Sequence, residues 1–99
     1  MTRQGLHRLL RDQHRLAARA VDKGDYAAMA ILLDLAHAVQ EAGLTQRQRE
    51  ALYYVYDLDM RQADAGEAMG VSREAVAQFV LGALKRIIKV YEKWAEGAE

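Results

Sequence analysis

Apolar residues recur at intervals of three and four through almost the whole chain, and no proline interrupts them. That spacing lines one face of an α-helix, and proline is excluded from helix interiors, so the pattern predicts an all-α fold. Leu6, Leu9, Leu10, Ala17, Ala20 and Val21 form a first apolar stripe. Gly24 can end that helix in the left-handed conformation, and Asp25 can cap the next one. The second helix is predicted from Tyr26 to about Ala42, with Ala30, Ile31, Leu35, Ala38 and Val39 facing inward and Gly43 at its end.

Thr45 and Gln48 fit a capping box, in which each side chain satisfies a backbone N–H at a helix start. The third helix then runs through Leu52 and Val55 to about Tyr56, and Asp57 to Met60 reads as a connection. A short fourth helix spans roughly Arg61 to Met69, before a turn of Gly70, Val71 and Ser72. The last helix runs from Arg73 to about Trp94 and buries a seam of Val76, Phe79, Val80, Ala83, Leu84, Ile87, Ile88 and Tyr91. Tyr53, Tyr54 and Tyr56 are expected to be core residues with wet hydroxyls.

Ninety-nine residues are enough for one core, so the chain is read as a single domain over 1–99, with a helical hairpin at 1–43 and a second portion at 44–94. Without cysteine no disulfide or thiolate metal site can hold the fold, which leaves apolar burial to drive it. Arg3, Arg8, Arg11, Arg15 and Arg19 break up the first twenty residues, so neither a signal peptide nor a membrane span is expected, and a cytoplasmic protein is.

Fourteen basic and fourteen acidic residues cancel, but unevenly: net +4 over 1–23, −3 over 24–46, −2 over 47–72 and +1 over 73–99. A neutral total argues against a nonspecific polyanion binder and leaves room for local patches. The arginines of the first helix, with His7 and His14, make a basic face read as solvated. His7, His14 and His37 lack metal-ligand spacing, and no metal or other cofactor is expected. No glycine-rich phosphate loop follows a strand and the carboxylates are scattered, so the protein is expected not to be an enzyme.

Two helices joined by a tight glycine turn make a helix-turn-helix, whose second helix offers its N-terminal residues to the DNA major groove. Gly70 suits a positive φ, Ser72 suits the N-cap, and Ala65 and Gly66 are small enough for the two helices to cross closely. Met69, Val71, Val76 and Phe79 can fill the space between them.

From Leu44 to about Ile87 the chain resembles region 4 of bacterial sigma factors and the related short, phage-type sigma-like regulators. The resemblance is carried by the run from Leu44-Thr45-Gln46-Arg47-Gln48 to Leu52, by Gln62, Ala65 and Gly66, by Met69-Gly70-Val71-Ser72-Arg73-Glu74-Ala75-Val76, and by Ala83-Leu84-Lys85-Arg86-Ile87. It implies a helical DNA-binding domain that reads a promoter element and often docks on the flap of the RNA polymerase β subunit, here preceded by a two-helix extension, for about five helices in all. It further implies that Ser72, Arg73, Glu74, Ala77, Gln78 and Lys85 lie along the DNA-facing side of the recognition helix, with Arg47 and Arg49 near the phosphate backbone.

Chemistry gives each polar group a role. Arg73 can donate two bonds to a guanine edge, Gln78 can pair with adenine, and Glu74 can accept from cytosine or orient Arg73. Ser72 and the free N–H groups at the helix start can bind phosphate.

Three positions depart from the family pattern. Arg61 stands where Ser or Thr commonly precedes the fourth helix, so the cap is Asp59 or is weak. Ala77 and Gly82, with Leu81 on the outward side, replace cations of the recognition helix. Gly82 serves close approach either to a neighbouring helix or to DNA.

The expected function is sequence-specific binding of double-stranded DNA in transcription regulation, by a homodimer joined through Leu81, Ile88 and Trp94 and in possible contact with RNA polymerase. The alternatives are an adaptor that docks on a helical partner through Ala77, Leu81 and the C-terminal helix, and a phage DNA-packaging subunit.

Overall fold

A computed structural model describes residues 1–97. Five α-helices follow one another: α1 (Arg3–Lys23), α2 (Tyr26–Glu41), α3 (Gln46–Leu52), α4 (Gln62–Met69) and α5 (Arg73–Gly97), with a π-helical turn (Tyr53–Asp57) continuing α3. Among the described residues there is no strand, and no helix is long and apolar enough to cross a membrane.

Helix ends are set by local chemistry. Thr2 caps α1 by accepting from the Gly5 N–H at 3.0 Å, and Gly24 closes it at φ +61°. Asp25 caps α2 by accepting from the Ala28 N–H at 3.1 Å, while Arg19 donates to its other carboxylate oxygen at 3.0 Å. The expected capping box is present: Gln48 N–H donates to Thr45 Oγ1 at 3.1 Å, and Thr45 N–H donates to Gln48 Oε1 at 3.0 Å.

The Ala28 N–H, followed by the Arg19 charge, outweighs burial and holds the Asp25 carboxyl below its ordinary range. A pKa depressed by folding contributes stability above the unfolded value and loses it as pH falls through the folded one. Asp25→Ala should therefore lower the Tm at neutral pH by a few degrees, and the gap to wild type should close as pH is taken below the carboxylate range.

One cluster of buried side chains joins all five helices, with Leu6, Val76 and Ile87 at its centre. α5 buries Val76, Val80, Ala83, Leu84, Ile87 and Val90, while Phe79, Ile88 and Tyr91 are partly covered, as the spacing predicts. It is tied to the end of α2 by Arg86, which donates to the Gly43 carbonyl at 2.7 Å, and by the Trp94 indole N–H, which donates to Glu41 at 3.2 Å.

The hairpin departs from expectation in which side chains it buries. α2 turns Ala28, Leu35 and Ala38 inward, with Val39 partly covered, whereas Ala30 and Ile31 are exposed. This helix is apolar nearly all round, so periodicity could not choose its inner face; packing against α1 and α5 does. On α1, Leu6, Leu10 and Ala20 are buried, whereas Ala17 and Val21 are exposed.

The π-helical turn was not foreseen. Leu58 N–H donates to the Tyr53 carbonyl at 3.0 Å, five residues back, and Met60 N–H donates to that of Tyr54. The extra residue turns Val55 and Tyr56 into the core and leaves Tyr53 half exposed, correcting its assignment to the core. The Tyr56 hydroxyl has a partner within the chain, lying 2.7 Å from His7 Nδ1. Asp59 follows at φ +55°, a left-handed conformation that Asp tolerates better than most residues. α1 docks here: Arg11 donates to Asp59 at 2.6 Å and lies over the Tyr56 ring, and Gln13 donates to Asp57 at 2.9 Å. Part of the expected solvated basic face is thus an internal joint between hairpin and remainder.

Candidate nucleic-acid interface

The turn between α4 and α5 is built from backbone geometry. Gly70 ends α4 at φ +70°, and Val71 N–H donates back to the Gly66 carbonyl at 2.9 Å. Gly66 is required by space: a Cβ there would stand 2.7 Å from the Val71 carbonyl oxygen, against backbone that has no rotamer to change. Beneath the crossing, Ala65, Met69 and Val76 are buried. Ser72 caps α5 by accepting from the Ala75 N–H at 3.0 Å. α4 begins at Gln62 with Arg61 as an N-cap that makes no side-chain hydrogen bond, so the weak-cap expectation holds and Asp59 serves Arg11 instead.

This frame offers the start of α5 to solvent. Ser72, Arg73 and Glu74 are exposed, and Arg73 meets Glu74 at 3.4 Å, which holds the guanidinium beside the helix end. Gln78 and Lys85, four and eleven residues after Glu74, continue the same exposed strip. These groups could read base edges and hold phosphates.

The remaining expected positions have more particular placements. Arg47 is half exposed, and its Nη1 donates to the Met69 carbonyl and to Glu50, both at 3.0 Å. It thereby pins α3 to the last turn of α4, at the edge of the helix-turn-helix. Arg49 is not brought there; it lines a groove between α2 and the π-helical turn, with Leu35, Val39 and Asp57. Two residues apart on one helix are about 200° apart around it, so Arg47 and Arg49 could not share a face.

Gly82 faces the start of α3, where a Cβ would meet Gln48 Nε2 at 2.8 Å. Of the two roles left open for it, close approach to a neighbouring helix is the one seen.

Ala77 and Leu81 are only partly exposed, because α1 lies beside them: with Arg3, Gln4 and His7 of α1 and Gln62 of α4 they line one cleft. Sequence reasoning missed this flank. The only signal for it was the general basic character of α1, because its docking on the π-helical turn depends on contacts more than forty residues apart in sequence. Ile88 and Trp94, expected to be free for a dimer, pack against the core, and Trp94 is stacked edge-on to Tyr91. Among the described residues no three His, Asp or Glu side chains converge as a metal site.

Comparison with known families matches residues 42–89 to Sigma-70, region 4. No curated protein and no solved structure matches the chain. The matched span begins just before the capping box, contains α3, the π-helical turn, α4 and the glycine turn, and ends within α5. Residues 42–89, with the tight Gly66 crossing and the exposed start of α5, thus carry a sigma region 4-like helix-turn-helix.

Proposed function

We propose that the protein is a non-catalytic, sequence-specific regulator of transcription that binds double-stranded DNA through α5 and works in the cytoplasm, in reach of RNA polymerase. The observation that carries this reading is the exposed Arg73–Glu74 pair at the Ser72-capped start of α5, held out by the glycine crossing. Set in a major groove, Arg73 would donate to a guanine edge while Glu74 fixes its direction, and Gln78 would reach the next base edges along the strip. The α5 start, with Ser72, would meet phosphate on one side.

The flank of α1 supplies charge that the recognition helix lacks. Arg3 lines the cleft beside Ala77, Leu81 and the start of α4, and it has no acidic partner among the described residues. A phosphate contact there would carry no sequence information. Arg3→Ala should therefore weaken binding to all duplexes alike and lower the slope of log affinity against log salt by about 1, measured by anisotropy titrations over a salt series.

An adaptor that docks through Ala77 and Leu81 is less well supported, since α1 partly covers both. Amide chemical-shift mapping separates the readings. Added duplex DNA should move the resonances of Ser72 to Gln78 first; unchanged resonances there would defeat the DNA reading.

A further inference from the structure

Arg73, Ala77, Leu81 and Lys85 stand four residues apart on α5, so they form one ridge along the helix. The two ends of the ridge are exposed cations, and its middle is apolar and partly exposed. The middle borders the cleft against α1, beside Arg3, Gln4 and His7, and no aspartate or glutamate lines that cleft. Val80 and Leu84 are buried beneath it, which fixes the rotation of α5 and keeps the ridge next to the exposed strip of Glu74 and Gln78.

We infer that Ala77 and Leu81 are specificity-determining residues that select thymine through its C5 methyl group. The inference rests on the groove reading proposed above and adds a second kind of base to it. Arg73 sets where the ridge enters the groove, whereas Ala77 and Leu81 have no side-chain donor or acceptor for the base edges that follow. An adenine, guanine or cytosine edge pressed against them would give up hydrogen bonds to water without replacement, which costs free energy. Thymine alone offers an apolar group in the major groove.

Each step of four residues along α5 rises about 6 Å, close to two base steps of about 3.4 Å. The selected thymines therefore lie within a few base pairs of the guanine read by Arg73. Arg3 across the cleft and Lys85 at the end of the ridge suit the flanking phosphates. A methyl group needs only the partial opening that α1 leaves, whereas a helix docked on Ala77 and Leu81 would need α1 moved aside.

The test starts from the duplex that the wild-type protein enriches out of a randomised pool. Each of its thymines is replaced in turn by uracil, which keeps the base pairing and removes only the methyl group. Wild-type affinity should fall about 4-fold at one or two thymines, the worth of a buried methyl group, and stay unchanged at the others. At one of the sensitive positions Leu81→Ala should bind the thymine and uracil duplexes almost equally, with the wild-type helical circular dichroism. If that variant does not fold, the wild-type protein decides the matter alone: isotope-labelled methyl resonances of Ala77 and Leu81 should differ between the two duplexes, and those of Leu33 on α2 should not.

A scan in which every uracil duplex binds as well as its thymine parent would overturn the inference and leave reading by Arg73 standing. So would a uracil effect that Leu81→Ala shares in full, or one that leaves the Ala77 and Leu81 methyl resonances unmoved. A wild type that enriches no duplex would sink the groove reading itself, and this inference with it.

Discussion

Gly66→Ala is expected to destabilise the fold by about 2–3 kcal/mol, in the range for forcing atoms into a filled core. For a chain of this length that is roughly 10–20 °C in Tm. The Val71 carbonyl oxygen, 2.7 Å from where the new Cβ would stand, belongs to the turn itself and can retreat only by opening the angle between α4 and α5. Intrinsic helix propensity points the other way, since Ala is favoured over Gly by about 1 kcal/mol in a helix interior, so a loss isolates the packing term. Gly97→Ala, where nothing lies within 4 Å, should show no such loss. Thermal unfolding by circular dichroism checks both, and an unchanged Tm for Gly66→Ala would mean that the crossing is looser than described.

Arg73→Ala should act on recognition and leave stability alone. Its side chain is two-thirds exposed and meets only Glu74, so the melt should match wild type. Affinity for the preferred duplex should fall by roughly 1–3 kcal/mol, about 5- to 150-fold, while affinity for unrelated sequence changes much less. The contrast with Arg3→Ala, which should weaken all sequences equally, separates reading from anchoring. Glu74→Gln should have an intermediate effect, because it removes the charge that steers Arg73 but keeps a polar group in its place.

What the sequence made legible follows a physical division. Helix ends were readable because the chemistry that makes them lies within a few residues: Gly24 and Asp25, the Thr45–Gln48 box, Gly70 and Ser72 all do what their side chains predict. The seam of α5 was readable because its polar and apolar faces differ clearly.

The inner face of α2 was not, since Ala30 and Ile31 are as apolar as Ala28 and Leu35, and the choice is made by what packs against the helix. The shift of hydrogen bonding at Tyr53 to Asp57 has no residue that marks it. The site divides in the same way. Ser72, Arg73, Glu74, Gln78 and Lys85 fall together because one helix orders them, whereas the placement of Arg3 beside Ala77 and Leu81 comes from nonlocal contacts of Arg11 and Gln13. Of the apolar residues suggested for a dimer on α5, Ile88 and Trp94 are held inside by Glu41 and the core.

The most direct measurement is selection of the purified protein on a randomised duplex pool at near-physiological salt, followed by sequencing, with Arg73→Ala in parallel. A motif enriched by wild type and lost in the variant is the predicted result. A wild type that enriches nothing, or a variant that enriches the same motif, would contradict a reader built on α5.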